Sequence, residues 1–465
     1  MVNRNTKIID GPIFTRLFLF TAPIMLTGLL QVAYNMADNI VVGRFSGDEY
    51  ALAAVGSTSS LTTLIVNFLM GISTGAGVVI AHAFGAGDRT RTERAVRTAM
   101  SCSIGFGLAF SILAFIISKP VLALMGTKAE VFDSAVLYFR IICLGIPAST
   151  FYNFGNAALR SLGNSRLSLY ILSLSGILNV VFNLFFVIVC NMSVDGVALA
   201  TVISQYASAI SILLYMSPKR QREAEFSLKN IAIDRNILGR ILRIGFPAGL
   251  QSSIFSLSNI ILTSGCNTLP TAAVSARTIS FNIDGMVYTA MDSYTHSVTT
   301  YIGQNFGARK PDRIRRTMLF SILQVTAVGL ILGQLIIAFS KPIISMYIAP
   351  DDPNFNEVQR YAMDLTKFIL SFYFIAGIMN TLNGISRGLG NSIAPMIIGI
   401  IGTCVIRIVW VYAFFPMEIF HTLDGLYYCY PITWIFSIIC LIITVMWTYK
   451  RAKRSGQLDP LAEAA

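Results

Sequence analysis

The chain is a succession of long apolar runs separated by short polar segments. A helix that crosses a bilayer needs about 20 apolar residues, and twelve such runs can be drawn along the sequence. They cover approximately residues 14–42, 52–82, 96–118, 132–158, 167–189, 196–217, 238–265, 279–303, 317–340, 361–383, 392–415 and 425–449. We therefore predict an all-α polytopic membrane protein with twelve transmembrane helices, and we expect no cleavable signal peptide before the first.

The second half of the sequence repeats features of the first, at offsets of 222 to 229 residues. The matching pairs are AFGAGDRTRTERAVRTAM (83–100) with NFGARKPDRIRRTM (305–318), SKPVLALM (118–125) with SKPIISMY (340–347), LRSLGNS (159–165) with SRGLGNS (386–392), VDGVALA (194–200) with LDGLYYC (423–429), and Pro23 with Pro247. Shared loop chemistry explains one such match, but not five in the same order. Repeats of this length indicate a duplicated structural unit.

The repeat predicts two pseudo-symmetric lobes of six helices each, around a central cavity. The lobes are residues 1–217 and 238–449, joined by a cytoplasmic connecting loop at 218–237 and followed by a polar cytoplasmic tail at 450–465. Because six helices return the chain to the same side of the membrane, both lobes have the same orientation. This is an arrangement of transporters.

Charge is scarce and unevenly distributed. Only 12% of the 465 residues are charged, about half the share in soluble domains. The net charge of +12 comes mostly from clusters at 84–97, 218–243, 307–316 and the KRAKR tail. These segments all fall on one side of the predicted topology, which the positive-inside rule makes cytoplasmic. We therefore expect both termini inside a bacterial cytoplasmic membrane, a lipid bilayer as the partner of this surface, and no nucleic-acid binding.

Polar residues inside the predicted helices of the first half are spaced to share helix faces. Residues three or four apart on a helix are neighbours. The sets with this spacing are Gln31, Tyr34, Asn35 and Asp38; Asn153 and Asn156; Asn179 and Asn183; and Thr201 and Gln205. An intramembrane carboxylate costs roughly 2.5–3.5 kcal/mol on the gentlest insertion scale and usually marks an ion pathway. Asp38 is therefore the leading candidate for a coupling residue.

Two ions suit such a site. A carboxyl group whose access to water alternates can load and release a proton. The oxygens of Asp38, Asn179 and Asn183 also suit Na+, and no other metal site is expected. Residue types alone leave H+ and Na+ both open.

The second half carries different polar residues. Asp284, Tyr288, Asp292 and His296 follow one another at intervals of four in the predicted eighth helix, and Arg407 lies inside the eleventh. A buried arginine needs a partner, so we expect Arg407 to pair with Asp292 or Asp284. As substrate-binding residues we predict Gln31, Asn35, Asn156, Asp284, Tyr288, Asp292 and Arg407.

The chain resembles the multidrug and toxic compound extrusion (MATE) family, within the wider superfamily of multidrug, oligosaccharidyl-lipid and polysaccharide exporters. The resemblance covers residues 14–449 and rests on the two-half repeat, PIMLTGLLQVAYNMADN (23–39), FGAG (84–87) and LRSLGNS (159–165). It implies that Asp38 is the coupling acid. It further implies a supporting network, whose members here are Tyr34, Asn153, Asn179, Asn183 and Thr201.

Two positions depart from the family pattern. Some members have an Asp where this chain has Asn183, and the Na+-coupled branch has a Glu in the seventh helix where this chain has Phe255. The second departure makes a cation site of that kind in the second half doubtful. Pro23 and Gly28 weaken the first helix, either as a static kink or as a bend that depends on the state of Asp38.

These features predict a secondary antiporter that exports lipophilic, cationic drugs or metabolites in exchange for H+ or Na+. We expect a monomer with no cofactor and no enzymatic activity. The main alternative is a lipid-linked oligosaccharide or polysaccharide flippase, which often has fourteen helices and a basic cavity. A membrane-embedded enzyme would need a clustered constellation, but the histidines His82, His296 and His421 are scattered, and the chain has no P-loop for ATP.

Overall fold

The computed structural model of the protein describes residues 8–45, 51–218, 225–348 and 353–458. All regular elements in these ranges are helical, which confirms the predicted all-α class. The helices are α1 (Ile13–Phe45), α2 (Ala51–Gly85), α3 (Arg89–Leu124), α4 (Ala129–Ser161), α5 (Arg166–Leu184), α6 (Val194–Met216), α7 (Arg235–Cys266), α8 (Thr271–Gly307), α9 (Pro311–Ala338), α10 (Ser340–Ser345), α11 (Phe355–Gly388), α12 (Ile393–Gly399), α13 (Ile406–Val409), α14 (Leu423–Tyr427) and α15 (Cys429–Arg454). Parts of the connecting loop (219–224) and of the tail (459–465) lie outside the described residues.

The helices follow the predicted spans but extend beyond them. Among the described residues, ten helical segments are long and apolar enough to cross a membrane. The predicted seventh and eighth spans correspond to α7 and α8, which have 32 and 37 residues and a more polar composition. The protein is thus a multi-pass membrane protein.

The predicted eleventh span is not one regular α-helix. It consists of α12 and α13 with a π-helical turn after each, at Ile400–Val405 and Trp410–Phe414. A π-turn adds a residue to the helical turn and often occurs at functional sites. Arg407 lies between these two turns.

The repeated LGNS motif has the same structural role in both halves. Gly163 follows α4 with a φ of 90°, and Gly390 follows α11 with a φ of 87°, a left-handed conformation that glycine adopts without steric cost. The next residue, Asn164 or Asn391, accepts a hydrogen bond from the first turn of the following helix, at 3.3 and 3.4 Å. The repeat therefore encodes a tight reversal between two spans.

The described chain divides into two compact units. Unit 1 contains Ala22–Ser253, and unit 2 contains Ile8–Thr21 and the described residues of Ile254–Ala465. The boundaries thus fall inside α1 and α7, near Pro23 and Pro247. The lobes drawn from the repeat, 1–217 and 238–449, stay a prediction, and the compact units differ from them in these two helices.

Within unit 1, glycines allow α2 and the first half of α7 to pack backbone against backbone. A Cβ atom on Gly75 would lie 2.5 Å from the Gly245 nitrogen, and a Cβ atom on Gly245 would lie 2.6 Å from the Ile72 carbonyl oxygen. Gly71 and Gly249 continue the contact one turn away. Small residues four apart are the usual means of close helix packing in membranes.

We expect Gly245→Leu to destabilise the protein by about 1–3 kcal/mol or more, because the new side chain forces these backbones apart. The measurement is the thermal unfolding temperature of the protein purified in a neutral detergent. Gly239→Leu is the matched control, since Gly239 lies on the same helix and faces open space. Equal unfolding temperatures for the two variants would contradict the packing argument.

Candidate functional site

Asp38 lies at the start of a hydrogen-bonded chain inside unit 1. Asn183 donates from Nδ2 to Asp38 Oδ1 at 2.5 Å and to Asn179 Oδ1 at 3.4 Å. Asn179 in turn donates from Nδ2 to Thr201 Oγ1 at 3.4 Å. The chain crosses from α1 through α5 to α6, because Asn179 and Asn183 are four residues apart and face the same side of α5.

This chain has one unused oxygen. Asn183 is fully buried, and its Oδ1 has no hydrogen-bond partner among the described residues. Together with the Asp38 carboxylate and Thr201 Oγ1, it supplies oxygen ligands of the type that hard cations prefer. In the described part of the chain, no three His, Cys, Asp or Glu side chains form a metal-binding group.

Tyr34 lies one turn before Asp38 and contacts α5. Its hydroxyl donates to the Ser173 carbonyl oxygen at 3.4 Å. Its ring covers Gly176 so closely that a Cβ atom there would overlap the ring. Tyr34 thus fixes the Asp38 segment of α1 against α5 without joining the hydrogen-bonded chain.

The other residues predicted for this region lie apart from the chain. Asn156 accepts a hydrogen bond from Ser168 Oγ and so ties α4 to α5. No hydrogen bond to a described residue links Asn153 to Asp38. Gln31 and Asn35 are exposed on α1. The structure therefore brings together four of the predicted coupling residues, Asp38, Asn179, Asn183 and Thr201, with Tyr34 beside them.

Tyr138 on α4 is a further neighbour that the sequence analysis missed. It lies close enough to Asp38 for a direct electrostatic interaction. No second polar residue three or four positions away pairs with it in a face pattern, so the spacing rule gave no signal.

Unit 2 corrects the predicted pairing of Arg407. Among the described residues, no carboxylate forms an ion pair with it. Arg407 is fully buried and donates to Ser258 Oγ at 3.2 Å and Asn259 Oδ1 at 3.4 Å. Its guanidinium carbon lies 4.4 Å from the centre of the Tyr430 ring. An aromatic face and two neutral acceptors have taken the place of the expected acid, because a guanidinium can stack as well as hydrogen-bond.

The two acids of α8 have separate environments. Asp292 lies 3.6 Å from His296 Nε2 and within electrostatic reach of Arg387. Asp284 lines a cavity of about 150 Å³ that is formed by unit 2 alone. Tyr288, between them on the same helix, lines that cavity and stacks on Phe255.

Comparisons with known proteins agree with this picture. The MatE family model matches residues 23–185 and 247–413. The chain is 27% identical to the probable multidrug resistance protein YoeA of Bacillus subtilis over 82% of either chain. It is also 27% identical to the probable multidrug resistance protein NorM of Thermotoga maritima, over 83% of this chain and 82% of the relative.

The fold agrees as well. A solved multidrug resistance MATE family transporter of the MOP superfamily, in an outward-facing conformation, superposes with a TM-score of 0.88 at 21% identity, covering 99% of each chain. At this identity the likeness establishes the fold alone.

We expect Gly176→Val to displace the Tyr34 ring and to lower stability by about 1–3 kcal/mol, the usual cost of overpacking. Thermal unfolding of the purified protein measures this. Gly105→Val is the control, because Gly105 also lies in a membrane-spanning helix but has open space around it. If both variants unfold at the wild-type temperature, Tyr34 is not held against α5 as described.

Proposed function

The chain belongs to the MatE family, and on this premise we propose that it is a secondary active multidrug exporter. It moves lipophilic, cationic compounds out of a bacterial cell in exchange for H+ or Na+, by alternating access. We place it as a monomer in the cytoplasmic membrane with both termini inside the cell. Its partners are small-molecule drugs or metabolites, and no cofactor or catalytic step is part of the proposal.

The observation that carries the proposal is the hydrogen bond from Asn183 to Asp38 inside unit 1. An acid within a membrane-spanning helix is rare and usually functional. A neutral amide holds this one in place without cancelling its charge, so the carboxylate keeps its capacity to bind a cation. Asp38 is therefore the proposed coupling acid, with Asn179, Asn183, Thr201 and Tyr34 in support.

The two candidate ions make different demands on Asn183. Asn183 presents its Nδ2 to Asp38 and its Oδ1 away from any described partner. Protonation of Asp38 at its other oxygen leaves this hydrogen bond in place. Na+ at Asp38 requires the amide to rotate before Oδ1 can join the coordination, since an N–H group cannot coordinate a cation.

On the substrate side, we propose that Gln31 and Asn35 contact the exported compound. They are exposed polar groups on the same helix as Asp38. In unit 2, the acids Asp284 and Asp292 and the ring of Tyr288 offer charge and aromatic surface for a cation. Arg407 is assigned a positioning role, because its hydrogen bonds and its stacking on Tyr430 are internal to unit 2.

We expect Asp38→Asn to abolish export of ethidium, because a neutral amide cannot exchange a cation. Dye accumulation is measured in an efflux-deficient bacterial host at equal membrane expression. Asp133→Asn is the control, since Asp133 is an exposed acid on α4 of the same unit. Imposed pH or Na+ gradients across vesicles then identify the ion.

Export by Asp38→Asn at the wild-type rate would remove Asp38 from the coupling role. A wild-type protein that exports no dye, despite normal expression, would instead favour lipid-linked oligosaccharide transport.

We expect Asn183→Leu to slow export about tenfold or more, because a hydrogen bond to a charged group contributes about 1.5–3 kcal/mol. The measurement is the initial rate of ethidium efflux from preloaded cells. Val181→Ala serves as the control, because Val181 is an exposed residue on the same helix. An unchanged rate in Asn183→Leu would show that the hydrogen-bonded chain has no part in coupling.

A further inference from the structure

Unit 2 contains a cavity of about 150 Å³ with an aromatic wall. It lies among the second half of α7, α8, α11, α14 and the start of α15. Six rings line it: Phe255, Phe281, Tyr288, Tyr373, Tyr427 and Tyr430. A wall of this kind has a continuous set of electron-rich faces, which attract organic cations.

The rings are held in place by other rings, so the cavity is preformed. Tyr288 stacks on Phe255 at 6.3 Å, and Tyr427 stacks on Tyr430 at 5.3 Å. Tyr373 packs against Trp434 at 5.7 Å. Because these contacts restrict side-chain motion, a ligand that enters the cavity orders little on binding.

Asp284 is the acid of this cavity, and it has no partner. Only 6% of the residue is exposed, and its Oδ1 is buried without a hydrogen bond. No ion pair to a described residue compensates it either. A buried carboxylate without a partner is costly, which suggests that the partner is a ligand.

The two arginines near the cavity are already engaged elsewhere. Arg277 donates to Thr263 Oγ1 at 2.8 Å and hydrogen-bonds the Tyr427 side chain. Arg407 lies behind Tyr430 with its own partners. Arg277 and Asp284 are seven residues apart on α8, or about 10 Å along the helix axis. The Asp284 end of the cavity is therefore the end that lacks a positive charge.

We propose that this cavity binds the charged head group of an organic cation, with Asp284 as its counter-ion and the surrounding rings as its cage. The head group is a quaternary ammonium or an N-alkylpyridinium. A dry cavity of about 150 Å³ holds a molecule the size of benzene, whereas drug-sized ligands fill about 300–1,000 Å³. The cavity therefore takes the head of the compound and excludes the rest. This subsite rests on the proposed function as an exporter of cations.

The test is direct binding to the purified protein in a neutral detergent, measured by isothermal titration calorimetry. The probes are tetramethylammonium and tetrapentylammonium chloride. We expect wild type to bind tetramethylammonium more tightly, since the larger ion exceeds the cavity. Asp284→Asn should weaken tetramethylammonium binding about tenfold or more. This variant has nearly the same shape and removes an unpaired charge, so it should fold.

Two further variants complete the test. Asp364→Asn is the control, because Asp364 is an exposed acid on α11 next to the cavity residue Leu365, and its affinity should equal that of wild type. Tyr373→Leu should weaken binding several-fold with the carboxylate intact. Unchanged affinity in Asp284→Asn, or tighter binding of tetrapentylammonium, would overturn the subsite.

The outcome separates the subsite from the exporter proposal. Asp38→Asn should bind tetramethylammonium like wild type, because Asp38 belongs to unit 1. Ethidium export with tetramethylammonium binding independent of Asp284 would refute the subsite and leave the exporter proposal standing. Binding that depends on Asp284, in a protein that exports no dye, would support the subsite and refute the exporter proposal.

Discussion

The hydrocarbon interior of a bilayer offers no water, so each polar atom within it must find its partner inside the protein. The backbone meets this requirement by forming helices throughout the described residues. Side chains meet it less completely, and the exceptions are informative. Asn183 Oδ1 in unit 1 and Asp284 Oδ1 in unit 2 are both buried and unpartnered, and each lies in a candidate site.

The two units treat their acids in different ways. In unit 1, amides and a hydroxyl connect Asp38 through α5 to α6, so a change at the carboxylate is transmitted directly to three helices. In unit 2, Asp284 faces aromatic rings and makes no hydrogen bond to a described residue. The first arrangement suits a small inorganic ion that exchanges many times. The second suits a polarisable organic cation whose attraction to rings replaces hydrogen bonds.

Helices α1 and α7 stand out because each belongs to both compact units. In α1, the part before Ala22 packs with unit 2, and the part with Asp38 packs with unit 1. In α7, the glycines that contact α2 precede the boundary, while Phe255 and Asn259 follow it and adjoin Arg407. A change in the state of Asp38 thus acts on a helix that is anchored at its other end in unit 2.

The sequence by itself determined the membrane class, the twelve apolar runs, the repeat and the faces of single helices. It predicted that Asn179, Asn183 and Thr201 would join Asp38, since spacing along one helix decides which side chains share a face and polar faces in a membrane must meet. Only the tertiary structure decided which faces meet. It gave Arg407 the Tyr430 ring instead of an acid, tied Asn156 to Ser168, brought Tyr138 to Asp38 and left Asp284 alone in a cavity. Such partners come from different helices packed together, and spacing within one helix carries no information about them.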